Sequence, residues 1–334
     1  MTVREIARLA GVSASTVSNV INDRSNVSAE TKKNVRQLLQ KYNYTAKKRS
    51  RANKMNIIFL KYRIHGKAVD ENQGFISSIV DNIERLCRKN GYDLSIVNAN
   101  PDNIEDEIKI INEAKPAGVI FLGTEYISGS SKFLNEIKPP LISMDNSMRT
   151  EDIDAILMDN RKISYMIISY LHSMGHKKIG YIKSNLEISN LSERYLGYLE
   201  NMPAFKMQPM EPIEVSPTMI EAYKELSAMA KDIDFKKYDA LICDFDSIAI
   251  AAIRVLNETG IKIPEQISVI GVDNIPYSSM VVPSLTTISI SRYAMAYFVV
   301  DRMMKRIAGI DTPSITVKID GELVVRESTA RRSK

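Results

Sequence analysis

The sequence has no tryptophan, only two cysteines and three histidines, and no long apolar run. Without tryptophan, no indole ring can serve as a stacking platform for a ligand. Cys87 and Cys243 lie far apart in apolar patterns, which predicts buried, reduced thiols and not a disulfide framework. No stretch approaches the ~20 apolar residues that span a bilayer. Residues 1–5 are polar and no apolar signal core follows them, so we expect a cytoplasmic protein.

The scarcity of histidine also limits the chemistry that the chain can support. His172 and His176 have the i, i+4 spacing that binds zinc on a helix, but Gly175 interrupts the helix between them and no third ligand is evident. Neither these two nor His65 stands beside a plausible nucleophile, and no phosphate-binding glycine-rich loop occurs. We therefore expect no enzyme, no cofactor and no metal site.

Charge is distributed unevenly along the 334 residues. Residues 1–54 contain twelve lysines and arginines against three acidic residues, an excess of nine positive charges, whereas the whole chain has a net charge of +5. The remaining residues therefore carry a net charge of −4. A basic head on a mildly acidic body indicates that the head binds a polyanion, although a solvated basic tail would have the same composition.

Three short amphipathic helices are predicted within residues 1–44. Thr2 and Glu5 fit a capping box, Gly11 ends the first helix, and Ser13 and Ser28 cap the second and third. Two helices joined by such a tight glycine turn are typical of a helix-turn-helix, whose second helix enters the DNA major groove. The pattern alone is also compatible with any three-helix mini-domain. The side chains predicted to point outward from the second helix are small and uncharged, namely Ala14, Ser15, Ser18 and Asn19.

Residues 3–22, VREIARLAGVSASTVSNVIN, resemble the headpiece of the lactose repressor/galactose repressor (LacI/GalR) family, and residues 27–31 and 42–44 continue the resemblance. The resemblance implies that Ala14 and Ser15 face bases, and that Thr16, Ser18 and Asn22 contact bases or phosphates nearby. The residues of the headpiece predicted to bind DNA are Thr2, Ser13, Ala14, Ser15, Thr16, Ser18, Asn19, Asn22 and Asn26.

Asn19 departs from the family, which usually has an arginine at this position. Arginine reads guanine through O6 and N7, whereas asparagine is suited to adenine N6 and N7. We therefore expect an operator with adenine where relatives prefer guanine.

Residues 45–55 also depart from the family, whose members usually carry a proline and a short hinge helix with a leucine that wedges into the minor groove. This segment contains neither residue type. Its cations suit sequence-independent phosphate contact or a minor-groove arm, and a solvated basic linker is the alternative. We expect little operator kinking and a steep salt dependence. The linker residues predicted to bind DNA are Lys47, Lys48, Arg49 and Arg51.

From residue 56 onward, short apolar runs rich in β-formers alternate with helical segments, which predicts parallel sheets with helices on both faces. The segments GHKKIGYI at 175–182 and ISVIGVDN at 267–274 resemble the two-lobed, type I periplasmic-binding-protein-like α/β core of the same family. The resemblance implies an effector-binding core over residues 56–330. We expect an N-lobe of residues 56–157 and 286–314, and a C-lobe of residues 158–285 and 315–330.

The resemblance also places effector-binding residues in the cleft between the lobes. Arg194 matches an arginine that grips ligand hydroxyls or a carboxylate, and Asp273 matches an aspartate that accepts hydrogen bonds from hydroxyls. Asp145 occupies another cleft position. Phe245 stands where an amide is common, which favours a less polar ligand edge or stacking on a sugar face, and Phe75 could stack instead. Structural ion pairs for the charged residues, and core packing for Phe75, are the alternatives.

Residues 61–72 form a longer and more charged loop than is usual in the family, and we expect it to add contacts to an acidic or larger effector. The whole pattern predicts a homodimeric repressor whose affinity for operator DNA is modulated by a sugar or sugar-like effector. A sugar-binding protein of a transport system, which shares the core, is the alternative. That alternative calls for a signal peptide and no headpiece, the reverse of this sequence.

Overall fold

The computed structural model describes residues 3–21, 27–42, 55–69, 74–129, 132–310 and 312–332. The chain divides into two compact units, Met1–Lys54 and Met55–Lys334. No helix within the described ranges is long and apolar enough to cross a membrane. Several residues predicted to bind DNA lie outside these ranges: Thr2, Asn22, Asn26, Lys47, Lys48, Arg49 and Arg51.

The first unit contains three helices, α1 (Val3–Ala10), α2 (Ala14–Ile21) and α3 (Ala29–Lys41). Each helix contributes fully buried side chains to a small apolar core, which includes Ile6, Val17 and Val35. Gly11 has a φ of 66°, a left-handed conformation that favours glycine, and it lets the chain turn within three residues between α1 and α2. The described residues of this unit therefore form the expected helix-turn-helix followed by a third helix.

The N-lobe of the second unit contains a six-stranded sheet. Its strands are β1 (Asn56–Tyr62), β2 (Asp93–Ala99), β3 (Gly118–Leu122), β4 (Leu141–Met144), β5 (Asp154–Met158) and β11 (Thr316–Ile319), in the spatial order β11-β5-β4-β3-β1-β2. All paired strands are parallel. Every residue of β3 is buried, as expected for a central strand whose two faces are covered by helices. The helices of this lobe are α4 (Phe75–Lys89), α5 (Ile104–Ala114) and α10 (Arg292–Ile307).

The C-lobe contains a second six-stranded sheet. Its strands are β6 (Ile179–Ser184), β7 (Ile213–Val215), β8 (Ala240–Cys243), β9 (Ser268–Val272), β10 (Thr286–Ile290) and β12 (Gly321–Val324), in the spatial order β12-β10-β9-β8-β6-β7. Only the pair of β10 and β12 is antiparallel among the described strands. The helices of this lobe are α6 (Asn160–Ser173), α7 (Ser189–Ala204), α8 (Met219–Met229) and α9 (Asp246–Glu258).

The chain passes between the lobes three times, and two of the predicted crossings are corrected. The first lies after β5, near the expected residue 157. The second was expected near residue 286, but β10 pairs with β9 in the C-lobe sheet, so the chain crosses only at Ser291. The third was expected near residue 314, but β11 pairs with β5 in the N-lobe sheet, so the crossing is at Asp320. An apolar run reveals a strand but not the sheet that the strand joins.

Candidate DNA-reading helix and effector site

Helix α2 carries five of the residues predicted to bind DNA, and Ser13, a sixth, immediately precedes it as its cap. The Ser13 hydroxyl accepts a hydrogen bond from the Thr16 N–H (3.1 Å), which caps the first turn of the helix. Val17 and Val20 are buried against the other helices, while Thr16 and Asn19 are partly exposed. One face of α2 therefore packs against the other helices of the unit, and other side chains of α2 stay partly exposed. The other predicted contact residues on α2 are Ala14, Ser15 and Ser18.

Aspartates follow three strand ends at the facing edges of the two sheets, one in the N-lobe sheet and two on neighbouring strands of the C-lobe sheet. Asp145 follows β4, Asp244 follows β8 and Asp273 follows β9, and each is at most 2% exposed. Asp145 and Asp273 have φ values of 65° and 106°, which are rare for residues other than glycine and concentrate at binding and catalytic sites. The carboxyl ends of parallel strands are the usual ligand-binding edge of such sheets.

Arg194 lies on α7 and is one of the largest fully buried side chains in the described part of the molecule. Its Nε and Nη2 donate to Asn160 Oδ1 (3.2 and 2.9 Å), and its Nη1 donates to the Asp244 carbonyl oxygen. Asn160 begins α6, immediately after the first crossing between the lobes. The guanidinium therefore joins the start of α6 to the end of β8, and it also brings positive charge to the aspartates.

Asp145 is held from both lobes. In its own lobe it accepts a hydrogen bond from the Thr124 hydroxyl (2.7 Å), and from α7 of the C-lobe Asn190 Nδ2 donates to its Oδ1 (2.8 Å). Burial raises the pKa of Asp145 to about 6, against the opposing effect of these two hydrogen bonds. The Asp273 carboxylate raises this pKa further, while the Arg194 charge lowers it. The structure thus brings three of the predicted effector residues within electrostatic range of one another.

An arginine that was not among the predicted site residues connects Phe75 to this cluster. Phe75 opens α4 and is 1% exposed, and the Arg292 guanidinium carbon lies 5.0 Å from the centre of its ring. Arg292 Nη2 also donates to the carbonyl oxygens of Asp273 (2.9 Å) and Asn274 (3.2 Å). Arg292 follows the second crossing and opens α10 of the N-lobe, so its two hydrogen bonds to the C-lobe connect the lobes, while its cation–π contact with Phe75 lies within the N-lobe.

Two further aspartates flank Phe245 and were also missed, although they stand beside it in the sequence. Asp246 accepts hydrogen bonds from the Thr287 hydroxyl (2.6 Å), the Ser278 hydroxyl and the Ile275 N–H (3.0 Å). Burial raises the pKa of Asp246 to about 7 and that of Asp244 to about 6. Asp246 also requires glycine on the neighbouring strand, since a Cβ at Gly271 would lie 2.3 Å from its Oδ1.

Phe245 itself is half-buried and precedes α9. It packs against a small apolar cluster of Ala68, Ile188 and Leu191. Ala68 belongs to the N-lobe and the other members to the C-lobe, so the ring lies where the two lobes meet. This environment is compatible with the expected apolar ligand edge and also with packing between the lobes.

The comparisons with known proteins agree with this architecture. Residues 2–47 match the model of bacterial regulatory proteins of the lacI family, and residues 168–329 match that of a periplasmic-binding-protein-like domain. Over 332 residues, covering 98% of each chain, the sequence is 30% identical to the HTH-type transcriptional repressor PurR of Histophilus somni (strain 129Pt). The chain belongs to the lacI family. The PurR repressor of Mannheimia succiniciproducens is 29% identical over 336 residues, which cover 99% of each chain.

Solved structures of lacI-family members share the fold over most or nearly all of the chain. The Lac repressor dimer bound to operator and the anti-inducer ONPF has a TM-score of 0.72 at 21% identity, with 99% of each chain covered. The complex of the regulator CelR with cellobiose has a TM-score of 0.71 at 22% identity, covering 98% of this chain and 99% of that one. A periplasmic binding protein/LacI regulator of Alkaliphilus metalliredigens with D-xylulofuranose has a TM-score of 0.68 at 23% identity, covering 82% and 99%.

The predicted fold class and family are therefore confirmed. This lacI-family protein is a DNA-binding transcriptional repressor with a ligand-binding core, and it is not an enzyme. Sequence reasoning missed the amides and hydroxyls that surround the aspartates. One of them had a usable signal, because Asn190 precedes Arg194 by one helical turn and so shares its face of α7.

Proposed function

We propose that the operator affinity of this repressor is controlled by a neutral, hydroxyl-rich molecule, a sugar or sugar derivative, bound at the edge where the two sheets face each other. The observation that carries the proposal is the concentration of buried carboxylates around a single guanidinium. The Asp273 carboxylate raises the pKa of both Asp145 and Asp246, and Arg194 already donates to Asn160 and Asp244. Carboxylates accept hydrogen bonds from ligand hydroxyls, whereas they repel phosphorylated or carboxylate ligands.

Two structural neighbours support the ligand class. CelR was solved with cellobiose and the Alkaliphilus metalliredigens regulator with D-xylulofuranose, both of which are sugars. Neither exceeds 23% identity to this chain, so they support the class of effector and leave the particular sugar to experiment.

The effector acts by linkage, since a molecule that contacts both lobes favours the lobe arrangement that it bridges. Asn190, Arg194 and Asp145 supply such bridging groups from α7 and β4. Two copies of the chain bind a two-fold operator, and a change in lobe arrangement alters the placement of the two headpieces. A repressor of this kind works beside the chromosome, in the cytoplasm.

In the headpiece, Ala14, Ser15 and Asn19 read bases in the major groove, and the remaining predicted residues contact phosphates or neighbouring bases. Asn19 recognises adenine. The basic residues 47–51 add sequence-independent phosphate contacts, so affinity falls steeply with salt.

The test is a thermal-shift and calorimetric screen of neutral pentoses, hexoses and disaccharides beside sugar phosphates and free nucleobases. We expect a neutral sugar to bind, to lose affinity in Asp273→Asn, and to change binding of an operator selected from random duplexes. Exposed Asp102→Asn is the matched control and should leave the affinity unchanged. A screen in which only anionic ligands or nucleobases bind would refute the sugar proposal.

A further inference from the structure

The buried carboxylate of Glu125 organises residues 64–69, which follow β1. Glu125 is 1% exposed, and its Oε2 accepts hydrogen bonds from the N–H groups of Ile64 (2.7 Å), His65 (2.9 Å) and Gly66 (3.0 Å). Its Oε1 accepts a fourth from the Ala68 N–H (3.0 Å). Four backbone donors from one short segment thus converge on one side chain, some sixty residues away in the sequence.

The same segment reaches the opposite lobe. Lys67 Nζ lies 3.2 Å from Glu221 Oε2 on α8, and both side chains are partly exposed. Ala68 is 4% exposed and packs with Ile188 and Leu191, which lie at the start of α7. The segment therefore spans the two lobes with one ion pair and one apolar contact.

The segment is also adjacent to the candidate effector site. Thr124, which donates to Asp145, immediately precedes Glu125, and Leu191 lies three residues before Arg194 on α7. Val69 belongs to the same buried apolar cluster as Phe75. The 64–69 segment therefore lies beside several of the groups that define the site.

We infer that Glu125 is a positioning residue of the effector site, which holds the 64–69 segment as an outer wall that ties the lobes together and retains the effector. This inference rests on the proposed function for the identity of the site. Residues 61–72, which include this segment, were expected to add contacts to an acidic or larger effector. Within the described part of that loop, the charge of Lys67 is directed to Glu221. The wall therefore acts through lobe closure.

A carboxylate is needed at this position for a geometric reason. An ionised carboxylate has two oxygens that only accept, and each can accept from more than one donor. A glutamine offers one acceptor oxygen, and its NH₂ group would face N–H donors of the backbone. Glu125→Gln therefore preserves size but leaves buried and part-buried N–H groups without an acceptor.

The first experiment measures hydrogen exchange in the full chain without ligand. Glu125→Gln should raise the exchange rates of the Ile64, His65, Gly66 and Ala68 amides by roughly tenfold or more, while amides of β3 and α4 keep their rates. If the β3 amides also lose protection, the Glu125→Gln variant is globally unstable. The Lys67 variants described next then test whether the 64–69 segment ties the lobes together. Unchanged rates at the four amides would overturn the role of Glu125.

The second experiment measures the separation of the lobes by spin-label distances between Glu113→Cys and Lys262→Cys, both exposed positions, while the native Cys87 and Cys243 are buried. Lys67→Ala should increase the open fraction roughly two- to fivefold, as Glu221→Ala should, and the two changes together should add little. The charge exchange Lys67→Glu with Glu221→Lys should restore closure.

The control is Lys109→Ala, which removes a more exposed ion pair with Asp106 inside the N-lobe and should leave the distance unchanged. Equal distances in the Lys67→Ala variant and the wild type would overturn the inference. With cellobiose as the probe, or whichever sugar the screen returns, faster dissociation from Lys67→Ala is expected. If the wild type bound neither sugar nor operator, the proposed function would fail, while the exchange and distance results would still decide the role of Glu125.

Discussion

In helix α2 the residues predicted to read DNA lie within a single stretch of eight residues, whereas those predicted to hold the effector come from positions 75 to 273. Asn19 and Thr16 are partly exposed, while Arg194, Asp145 and Asp273 are each at most 2% exposed. The α2 positions leave these side chains partly exposed, whereas the core positions bond their side chains to one another.

A substitution should therefore have a different kind of consequence in each of the two regions. A change at a partly exposed position of α2 should alter what is recognised and leave the fold intact. A change among the buried groups of the core should alter stability and recognition together, because each group satisfies another.

The largest effect is expected from Arg194→Met, which removes a buried guanidinium and its bonds to Asn160 and Asp244. The free energy of unfolding of the core should fall by about 3 kcal/mol, because buried acceptors lose charged donors. Denaturant titration followed by circular dichroism measures it. The matched control is Arg254→Met, whose side chain is 64% exposed, and a loss no larger than that of the control would contradict the prediction.

The next effect concerns pH. Burial raises the pKa of Asp246 to about 7 from 3.8, so the folded state binds this proton more tightly than the unfolded state. The contribution of Asp246 to stability therefore falls as pH rises from about 4 to about 7. Asp246→Asn cannot ionise, and its stability relative to the wild type should increase over that range by on the order of 3 kcal/mol.

Urea titrations at several pH values measure this difference. Asp102→Asn, at an exposed position, provides the baseline and should run parallel to the wild type. If Asp246→Asn also ran parallel, Asp246 would be ionised throughout and the effect of burial would be refuted.

A smaller and purely specific effect is expected from Asn19→Arg on α2. The variant should prefer guanine at the half-site position where the wild type prefers adenine, with a discrimination of about 1–3 kcal/mol. Selection from random duplexes, followed by anisotropy at fixed salt, measures it. The melting temperature should not change, and an unaltered base preference would show that residue 19 does not read this base pair.

The smallest effect is expected from Ser13→Ala, which deletes the cap that receives the Thr16 N–H. The first unit should lose about 1 kcal/mol of stability, and Ser13→Thr should retain most of it. Amide exchange of α2 is the measurement. Equal exchange in the alanine variant and the wild type would mean that the cap adds nothing to the stability of the helix.

The sequence predicted the headpiece well because its signals are local. Gly11 and Ser13 form hydrogen bonds with residues only three positions away in the sequence. Val17 lies in the same small apolar core as Ile6. The strands of the core could be predicted equally well, because apolar runs such as 118–122 form strands that are buried throughout. The same runs could not reveal the sheet that each joins, which is why the crossings near 286 and 314 were misplaced.

The candidate effector site could be predicted from the sequence only in part, and mainly through resemblance. Arg194, Asp145 and Asp273 do come together, whereas Phe245 packs with the cluster that includes Ala68. The role of Glu125 could not be foreseen, because its four donors come from a distant segment and backbone N–H groups leave no trace in a sequence pattern. Such contacts follow from the assembled topology alone.

The three crossings have a consequence for biosynthesis. Strands β11 and β12 occupy one edge of each sheet, yet they are encoded after residue 315 and emerge from the ribosome last. The headpiece can fold as soon as it is translated, but neither lobe can complete its sheet until almost the whole chain is synthesised. A nascent chain therefore carries a finished DNA-binding domain well before it carries a core that can respond to an effector. Ribosome-bound chains truncated before residue 315 should show a protected headpiece and a protease-sensitive core.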